Sequence, residues 1–492
     1  MYAADGLFRT TGMCSAALVT SGPGAANTVA AFGEAHSSGS ALAVFATDMS
    51  SAMRHPKGPR GLLHEMANQT AMFSAFDAPA RSASTPAEAI TAAALAFRDM
   101  ESPVPTPVYV GIASDVLGAP WSGRIPPPSA APTGSVDDFE LVQCAELITE
   151  SKRPVLWLGG GVVTSGTEDQ ARILAQRIGA VVVTTFAGRG LLADDSCTIA
   201  APVHEPEVSE IVANSDLLIA LGTDFDGMNT RNWTMSLPDR RIAISLSRSI
   251  DRTITWDVTV SADLRVALPE LLERLDESVQ VNAWCDASDV RPRMMDRLAA
   301  DPRTRDAIAM VLAIDDAWPA DAAVICDMSV SGYWTGGYCL QPRPRRLAYP
   351  VGWGTLGFAL PAAIGPASVG ISTLAVCGDG GPMFALGELA TIAQHDLPIT
   401  LFIVDDGGYG MLRFDQQVFG HAELGVDLVT PDWVALGVAF GIDATTIDDV
   451  NQLPRALAHA HAMNAQGRAH IIVWNQRLFP PRTTSPRWNE TA

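Results

Sequence analysis

Two short turns in the C-terminal third carry the residues best able to do chemistry. Leu374, Ala375, Val376 and Cys377 read as a buried strand that delivers Gly378, Asp379, Gly380 and Gly381 to a turn, ahead of a helical pattern over 383–394. A second apolar strand, 399–404, ends in Asp405, Asp406, Gly407, Gly408, Tyr409 and Gly410. In a parallel sheet both turns fall at the carboxyl ends of their strands, where ligands bind. Asp379 and Asp406, 27 positions apart, can then share one Mg²⁺, a hard cation that takes oxygen ligands and keeps phosphate oxygens in its shell. The glycines let backbone N–H groups approach a diphosphate, and a following helix N-terminus adds favourable partial charge. Either turn alone reads as an ordinary turn, because Asp and Gly are default turn formers. The pair, in strand–turn–helix context, reads as a site.

Such turns need sheets to hold them. Short runs of Val, Ile, Leu and Ala alternate with helix-like stretches along 492 residues, separated by Gly-rich turns. That rhythm predicts an α/β fold of three consecutive parallel-sheet domains. The expected domains are 1–120, 136–275 and 304–475, joined by a Pro/Ser/Ala-rich linker at 121–135 and a polar linker at 276–303. An unpacked tail is expected over 476–492. The second domain is expected to contain strands near 154–158, 181–183, 217–221 and 242–244. With 54 acidic against 33 basic side chains the formal charge is −21, which repels phosphate backbones and anionic lipids, so neither nucleic acid nor a membrane surface is an expected partner. Apolar stretches such as 398–404 are far shorter than the roughly 20 residues of a membrane helix. Seven scattered cysteines without a C-x-x-C pair read as buried thiols of a reducing cytoplasm. The first residues lack the basic and apolar regions of a signal peptide, so no export is expected.

The residues around these turns resemble the thiamine diphosphate enzymes of the acetolactate synthase, benzoylformate decarboxylase and pyruvate decarboxylase type. The family's metal and diphosphate motif is G-D-G, about 26 residues, then an N-N-x-G-Y-like turn. The resemblance implies that Asp379, Asp406 and the carbonyl of Gly408 ligate Mg²⁺, with Gly378, Gly380 and Gly381 at the diphosphate. Asp406 departs from the usual Asn and makes the site more negative. The sequence GWGTLGFALPAAIG at 352–365 is similar to the loop that wedges an apolar residue beneath the cofactor. Leu356 is then the wedge, and the carbonyl of Gly354 accepts from the aminopyrimidine. Without the resemblance, Leu356 is one more core leucine. AALVTSGPGAANT at 16–28 resembles the strand–turn–helix of the pyrimidine-binding domain, implicating Gly22, Pro23, Gly24 and Asn27. RPVLWLGGGVV at 153–163 resembles the start of the middle domain. Some relatives hold FAD there, but the three glycines are not completed as G-x-G-x-x-G and nothing else in the chain supports FAD. The order is thus pyrimidine-binding, middle and diphosphate-binding domain, and the family places facing domains on two subunits, implying a homodimer or homotetramer.

The implied reaction is decarboxylation of a 2-oxo acid with carboligation to a second carbonyl, as in acetolactate synthase. Simple decarboxylation, or a catalytically dead cofactor-binding relative, are the alternatives. Thr20 falls where benzoylformate decarboxylases carry a catalytic His, which favours carboligation. His64 falls where acetolactate synthases have the Gln of F-Q-E. It either moves protons near neutral pH or is a hydrogen-bonded loop histidine. Met411, Leu412 and Asp415 match positions that line the substrate pocket. Arg413 on the same turn receives a substrate carboxylate or is a solvated, salt-bridged side chain. Ser329 and Ser331, ahead of a Gly-rich stretch, are candidates for contact with the diphosphate. His36, His395, His421, His459, His461 and His470 share no motif and read as structural.

One expected residue is missing. Relatives carry a Glu about eight residues before the Asp of A-A-D-G-Y-x-R-x-T-G, here Asp5. Counting back places it ahead of Met1, together with the family's first strand and most of its first helix. That Glu promotes deprotonation of the cofactor. Glu34 and Glu65 are the nearest acids, and neither lies in the matching motif. The explanations are a start codon placed too far downstream, a fragment, or an enzyme that is slow or dead without this Glu. The expectation is a poorly folded or very slow product that an upstream extension restores.

Overall fold

The computed structural model describes residues 1–126, 136–247, 249–276 and 283–482. The chain divides into two compact units, the first comprising Met1–Pro132 with Pro350–Thr355, the second Thr133–Tyr349 with Leu356–Ala492. Every pairing between named strands in the three sheets is parallel.

The first unit holds a four-stranded sheet in the order β1-β2-β4-β3, built from β1 (Ser15–Val19), β2 (Leu42–Asp48), β3 (Ala80–Ala83) and β4 (Val108–Ala113). Central β2 and β4 are almost wholly buried, as strands covered on both faces must be, whereas edge β1 alternates and leaves Leu18 79% exposed. Helix Pro86–Met100 begins where Thr85 accepts from the Glu88 N–H while the Glu88 side chain accepts from the Ser84 N–H, with Pro86 in the first turn.

The second unit holds two sheets. One has the order β6-β5-β7-β8-β9, from β5 (Pro154–Leu158), β6 (Val181–Thr184), β7 (Leu217–Leu221), β8 (Arg241–Ile244) and β9 (Val258–Val260). The four strands expected from the apolar runs are present; β9 is a fifth, too short to stand out. A Cβ added at Gly161 would lie 2.6 Å from Gly222 Cα, and one at Gly159 would lie 2.3 Å from Gly222 O. The glycines after β5 are therefore needed for close packing on the turn after β7. The other sheet has the order β11-β10-β12-β13-β15-β14, from β10 (Ala323–Cys326), β11 (Leu347–Ala348), β12 (Thr373–Gly378), β13 (Ile399–Asp405), β14 (Asp443–Ile447) and β15 (His470–Asn475).

Three expectations need correction. The helical pattern over 383–394 resolves into a 3₁₀ turn, Pro382–Phe384, and a separate helix, Glu388–Gln394, whose N-cap is Gly387; the helix therefore does not start at the Gly378 turn. The stretch 276–303 contains helix Val290–Ala300, which buries Val290, Met294, Met295 and Leu298 at helical spacing beneath its charged face. The start of the expected tail is packed: Leu478 is buried, Phe479 O accepts from Trp334 Nε1 at 2.8 Å, and Gln476 reaches Asp306 at 2.6 Å. Parts of the expected linkers and tail, 127–135, 277–282 and 483–492, lie outside the described residues. No described helix is long and apolar enough to cross a membrane, and all seven cysteines are free.

Candidate active site

Strands β12 and β13 lie side by side, with Gly378 opposite Val404. Their register brings the turn at 378–381 next to the turn at 405–410. Asp379 is 1% exposed, and its Oδ2 has no hydrogen-bond partner. Burial, followed by the charges of Asp406 and Asp405, pushes its carboxyl up to about 7. Burial also raises Asp406, against the opposing pull of Arg413, while the Gly408 N–H lowers both carboxyls. Asp405 is otherwise engaged: Trp433 Nε1 donates to its Oδ2 at 2.7 Å and the Gly407 N–H to its Oδ1 at 3.0 Å. Of the two consecutive aspartates it is therefore Asp406 whose carboxylate stands beside Asp379.

The glycines are enforced sterically. A Cβ at Gly380 would lie 2.7 Å from the Tyr409 ring, one at Gly381 2.8 Å from Asp327 Oδ2, and one at Gly408 2.2 Å from Val426 O. Ser329 caps helix Val330–Tyr338 by accepting from the Gly332 N–H at 3.1 Å, and a Cβ at Gly378 would touch it at 3.2 Å. Ser331 Oγ donates to Cys377 O at 3.1 Å and lies 3.0 Å from Ser329 Oγ. Both serines thus stand at the carboxyl end of β12. Leu356 is followed by Gly357, whose positive φ of 86° and whose approach to Gly381 O leave no room for a side chain.

Helix Gly410–Val418 carries Met411, Leu412, Arg413 and Asp415. Leu412 is exposed, and Asp415 adds to the effect of burial that pushes Tyr333 up to about 12. Arg413 is buried, with Nη1 3.5 Å from Asp406, Nη2 3.0 Å from Asp427, Nε 3.4 Å from Glu423, and a further bond from Nη2 to Gly407 O. Arg413 is therefore salt-bridged in the structure, and its side chain is buried rather than solvated.

In the first unit, Thr20 follows β1 and is exposed, and Gly22 turns the chain at φ 60° into the short helix Pro23–Ala26. A Cβ at Gly24 would meet Thr20 Cγ2 at 2.6 Å. Asn27 is the exposed C-cap residue. His64 packs on this turn: a Cβ at Gly22 would lie 2.9 Å from His64 Cβ, and Ser21 Oγ is 3.4 Å from His64 Nδ1. His64 itself has φ 61°, a left-handed conformation that a non-glycine residue holds only when its surroundings impose it. Gly354, at φ 80°, donates its N–H to Pro350 O at 3.0 Å. Glu34 and Glu65 are both engaged, Glu34 by Arg9 at 2.9 Å and the Thr355 N–H at 3.3 Å, Glu65 by the N–H groups of Arg60, Gly61 and Leu62.

Two buried polar residues had no signal in the sequence. Gln69 accepts from the Gly22 N–H at 2.7 Å and bonds Thr47 O and Tyr109 Oη, holding the turn after β1. Asp327, directly after β10, accepts from the Gly357 N–H at 2.8 Å. Neither sits in a motif, and only three-dimensional contact identifies them.

The same chain regions match known protein families. Residues 1–72 match the N-terminal TPP binding domain of thiamine pyrophosphate enzymes, 141–271 the central domain, and 327–473 the C-terminal TPP binding domain. Among curated relatives, a probable 2-ketoarginine decarboxylase, AruI, of Pseudomonas aeruginosa is 32% identical over 470 residues, covering 93% of this chain and 82% of the relative. An acetolactate synthase of Mycobacterium bovis is 28% identical over 498 residues, covering 94% and 78%. A probable acetolactate synthase large subunit of Methanocaldococcus jannaschii is 25% identical over 509 residues, covering 97% and 84%. With all three domains matched in order and an extended relative at 32% identity, the chain belongs to the thiamine pyrophosphate-dependent enzyme family.

Proposed function

We propose that the protein uses thiamine diphosphate and Mg²⁺ to decarboxylate a 2-oxo acid and joins the retained fragment to a second carbonyl, in the manner of an acetolactate synthase. The observation that carries the metal-dependent half is Asp379, a buried carboxylate with an unpartnered oxygen beside a second carboxylate. A dication relieves both the desolvation and the mutual repulsion of such a pair, and an all-oxygen donor set suits Mg²⁺. The residues present therefore fit the group. In this reading Asp379, Asp406 and the Gly408 carbonyl hold Mg²⁺. Gly378, Gly380, Gly381, Ser329 and Ser331 serve the diphosphate, and Leu356 supports the cofactor. Gly354, Gly22, Pro23, Gly24 and Asn27 serve the aminopyrimidine. Bound thiamine diphosphate supplies the electron sink that receives the bonding pair released with CO₂. Thr20, Met411, Leu412 and Asp415 shape the substrate pocket. His64, fixed against the Gly22 turn, is the candidate to hold or deliver a proton to the substrate.

The absence of a His at Thr20 supports carboligation. Simple decarboxylation is the second reading, favoured by the name of the 2-ketoarginine decarboxylase relative. A screen of 2-oxo acids, 2-ketoarginine included, with and without acceptor aldehydes separates them. Hydroxyketone formation supports carboligation, and CO₂ with aldehyde as the sole products supports the second reading. A cofactor-loaded protein that releases CO₂ from none of them overturns both.

A further inference from the structure

Asp327 is fully buried at the carboxyl end of β10, where its backbone N–H continues the pairing with β12 by donating to Val376 O at 2.9 Å. Its Oδ1 accepts from the N–H groups of Met328 and Gly357, each at 2.8 Å, and its Oδ2 accepts from the Ala359 N–H at 3.3 Å. The Phe358 N–H also acts on the carboxylate. Three consecutive amides, 357–359, thus converge on one side chain at the start of helix Ala359–Ser368, whose N-cap residue, Phe358, has no side-chain cap of its own. Free N–H groups and the dipole at a helix start favour a negative charge at that point. Asp327 supplies it from another element. The turn at 378–381 closes on the same carboxylate, because a Cβ at Gly381 would lie 2.8 Å from Oδ2 and 3.0 Å from Cγ.

The conformation of the Leu356 segment is therefore not set by its own sequence. Gly357 has φ 86°, and its two neighbouring turns are close enough that its Cβ would meet Phe384 Cβ at 2.7 Å and Gly381 O at 3.1 Å. A buried carboxylate answered by several N–H donors is costly to form and resists displacement once formed. Burial raises its pKa to about 6 despite these donors. Such a group stores the register between the two turns it touches.

We propose that Asp327 is a positioning residue that locks the 356–359 segment to the 378–381 turn, so that Leu356 and the glycines are presented to the cofactor in one fixed relation. This rests on the thiamine diphosphate reading of those turns. It assigns a role to a side chain outside the residues proposed to hold the metal or to line the substrate pocket.

The test uses Asp327→Asn, which keeps the shape but turns one acceptor into a donor facing an N–H, with hydrogen exchange as the first readout and calorimetric cofactor binding as the second. In the chain without cofactor, amides 357–359 should exchange at least tenfold faster while those of β12 and β13 keep their protection. Binding of thiamine diphosphate with Mg²⁺ should weaken about tenfold to a hundredfold, the range for losing a hydrogen bond to a charged group. If the Asn variant fails to fold, Gly381→Ala, which presses on the same carboxylate from the opposite side, should speed exchange at 357–359 although the change lies at 381. Unchanged exchange at 357–359 together with wild-type affinity overturns the proposal. A purely structural role would lower the melting temperature and leave the cofactor affinity of the folded fraction intact, which also overturns it. A wild-type chain that binds no thiamine diphosphate overturns the reading of the site, and the exchange measurement still decides whether the clamp exists.

Discussion

Asp379 and Arg413 show how differently two charged residues of one site behave. Asp379 is left with an unpartnered oxygen, so its replacement by Ala should abolish Mg²⁺-dependent binding of thiamine diphosphate in calorimetry; tight binding by the variant would refute the metal assignment. Arg413 is instead ion-paired with three carboxylates. Arg413→Gln leaves buried Asp406 without its salt-bridge partner and should destabilise the fold by about 2 kcal/mol, a value below that of a fully buried pair because Asp427 is exposed and Arg477 still acts on Asp406. Adding Asp406→Asn should recover part of that loss in the melting temperature. The Asp379 and Asp406 pair was legible because Gly and Asp at strand ends carry a chemical signature. Arg413 had two readings, since sequence spacing does not report which carboxylates a loop folds back to supply. Asp327 and Gln69 were invisible for the same reason: they are lone polar residues whose turn-holding partners, the Gly357 and Gly22 N–H groups, lie dozens of positions away.

At the scale of elements, the long buried strands were readable from apolar runs, because parallel strands covered on both faces show no alternation. Helix Val290–Ala300 escaped notice because a proline and four charged residues break up its apolar run, while Val290, Met294, Met295 and Leu298 do the packing. The triple glycine after β5 was weak as a nucleotide signature, and the structure explains it by backbone contact with Gly222. Gly161→Ala should therefore cost about 3 kcal/mol, measured by chemical denaturation, with any catalytic loss following only from lost stability. The pairing of β14 with β15 contains a pH-sensitive group. His470 is 2% exposed, bonds Thr445 at 2.9 Å through Nε2, and is lowered to about 4 by burial and then by neighbouring His459. The unfolded chain protonates it near 6.5 while the folded chain does not. Its contribution is therefore complete above about pH 6.5 and is lost as pH falls toward 4, by up to about 3 kcal/mol. Thermal melts of His470→Asn should show a flatter dependence over that interval than those of the unaltered chain.

At the scale of the whole molecule, Phe384, Leu412, Phe419 and Val438 of the second unit are each more than half exposed, apolar side chains that a subunit contact would cover. We propose a homodimer or homotetramer, and light scattering should give a mass of at least two chains; a folded, cofactor-loaded monomer would refute it. The all-parallel topology has a further consequence, for biosynthesis. No strand can pair with its sequence neighbour through a tight hairpin, and Thr400 on β13 must wait for His470 on β15. At a ribosomal rate of roughly 5–20 residues per second, that partner emerges about 4–14 s later. Through this interval one edge of a highly apolar strand stays open to misassociation, since long-range pairing must close large loops before it gains any contact. Soluble yield should therefore rise when a chaperone is co-expressed or synthesis is slowed by cooling, and refolding from denaturant should become less efficient as protein concentration increases.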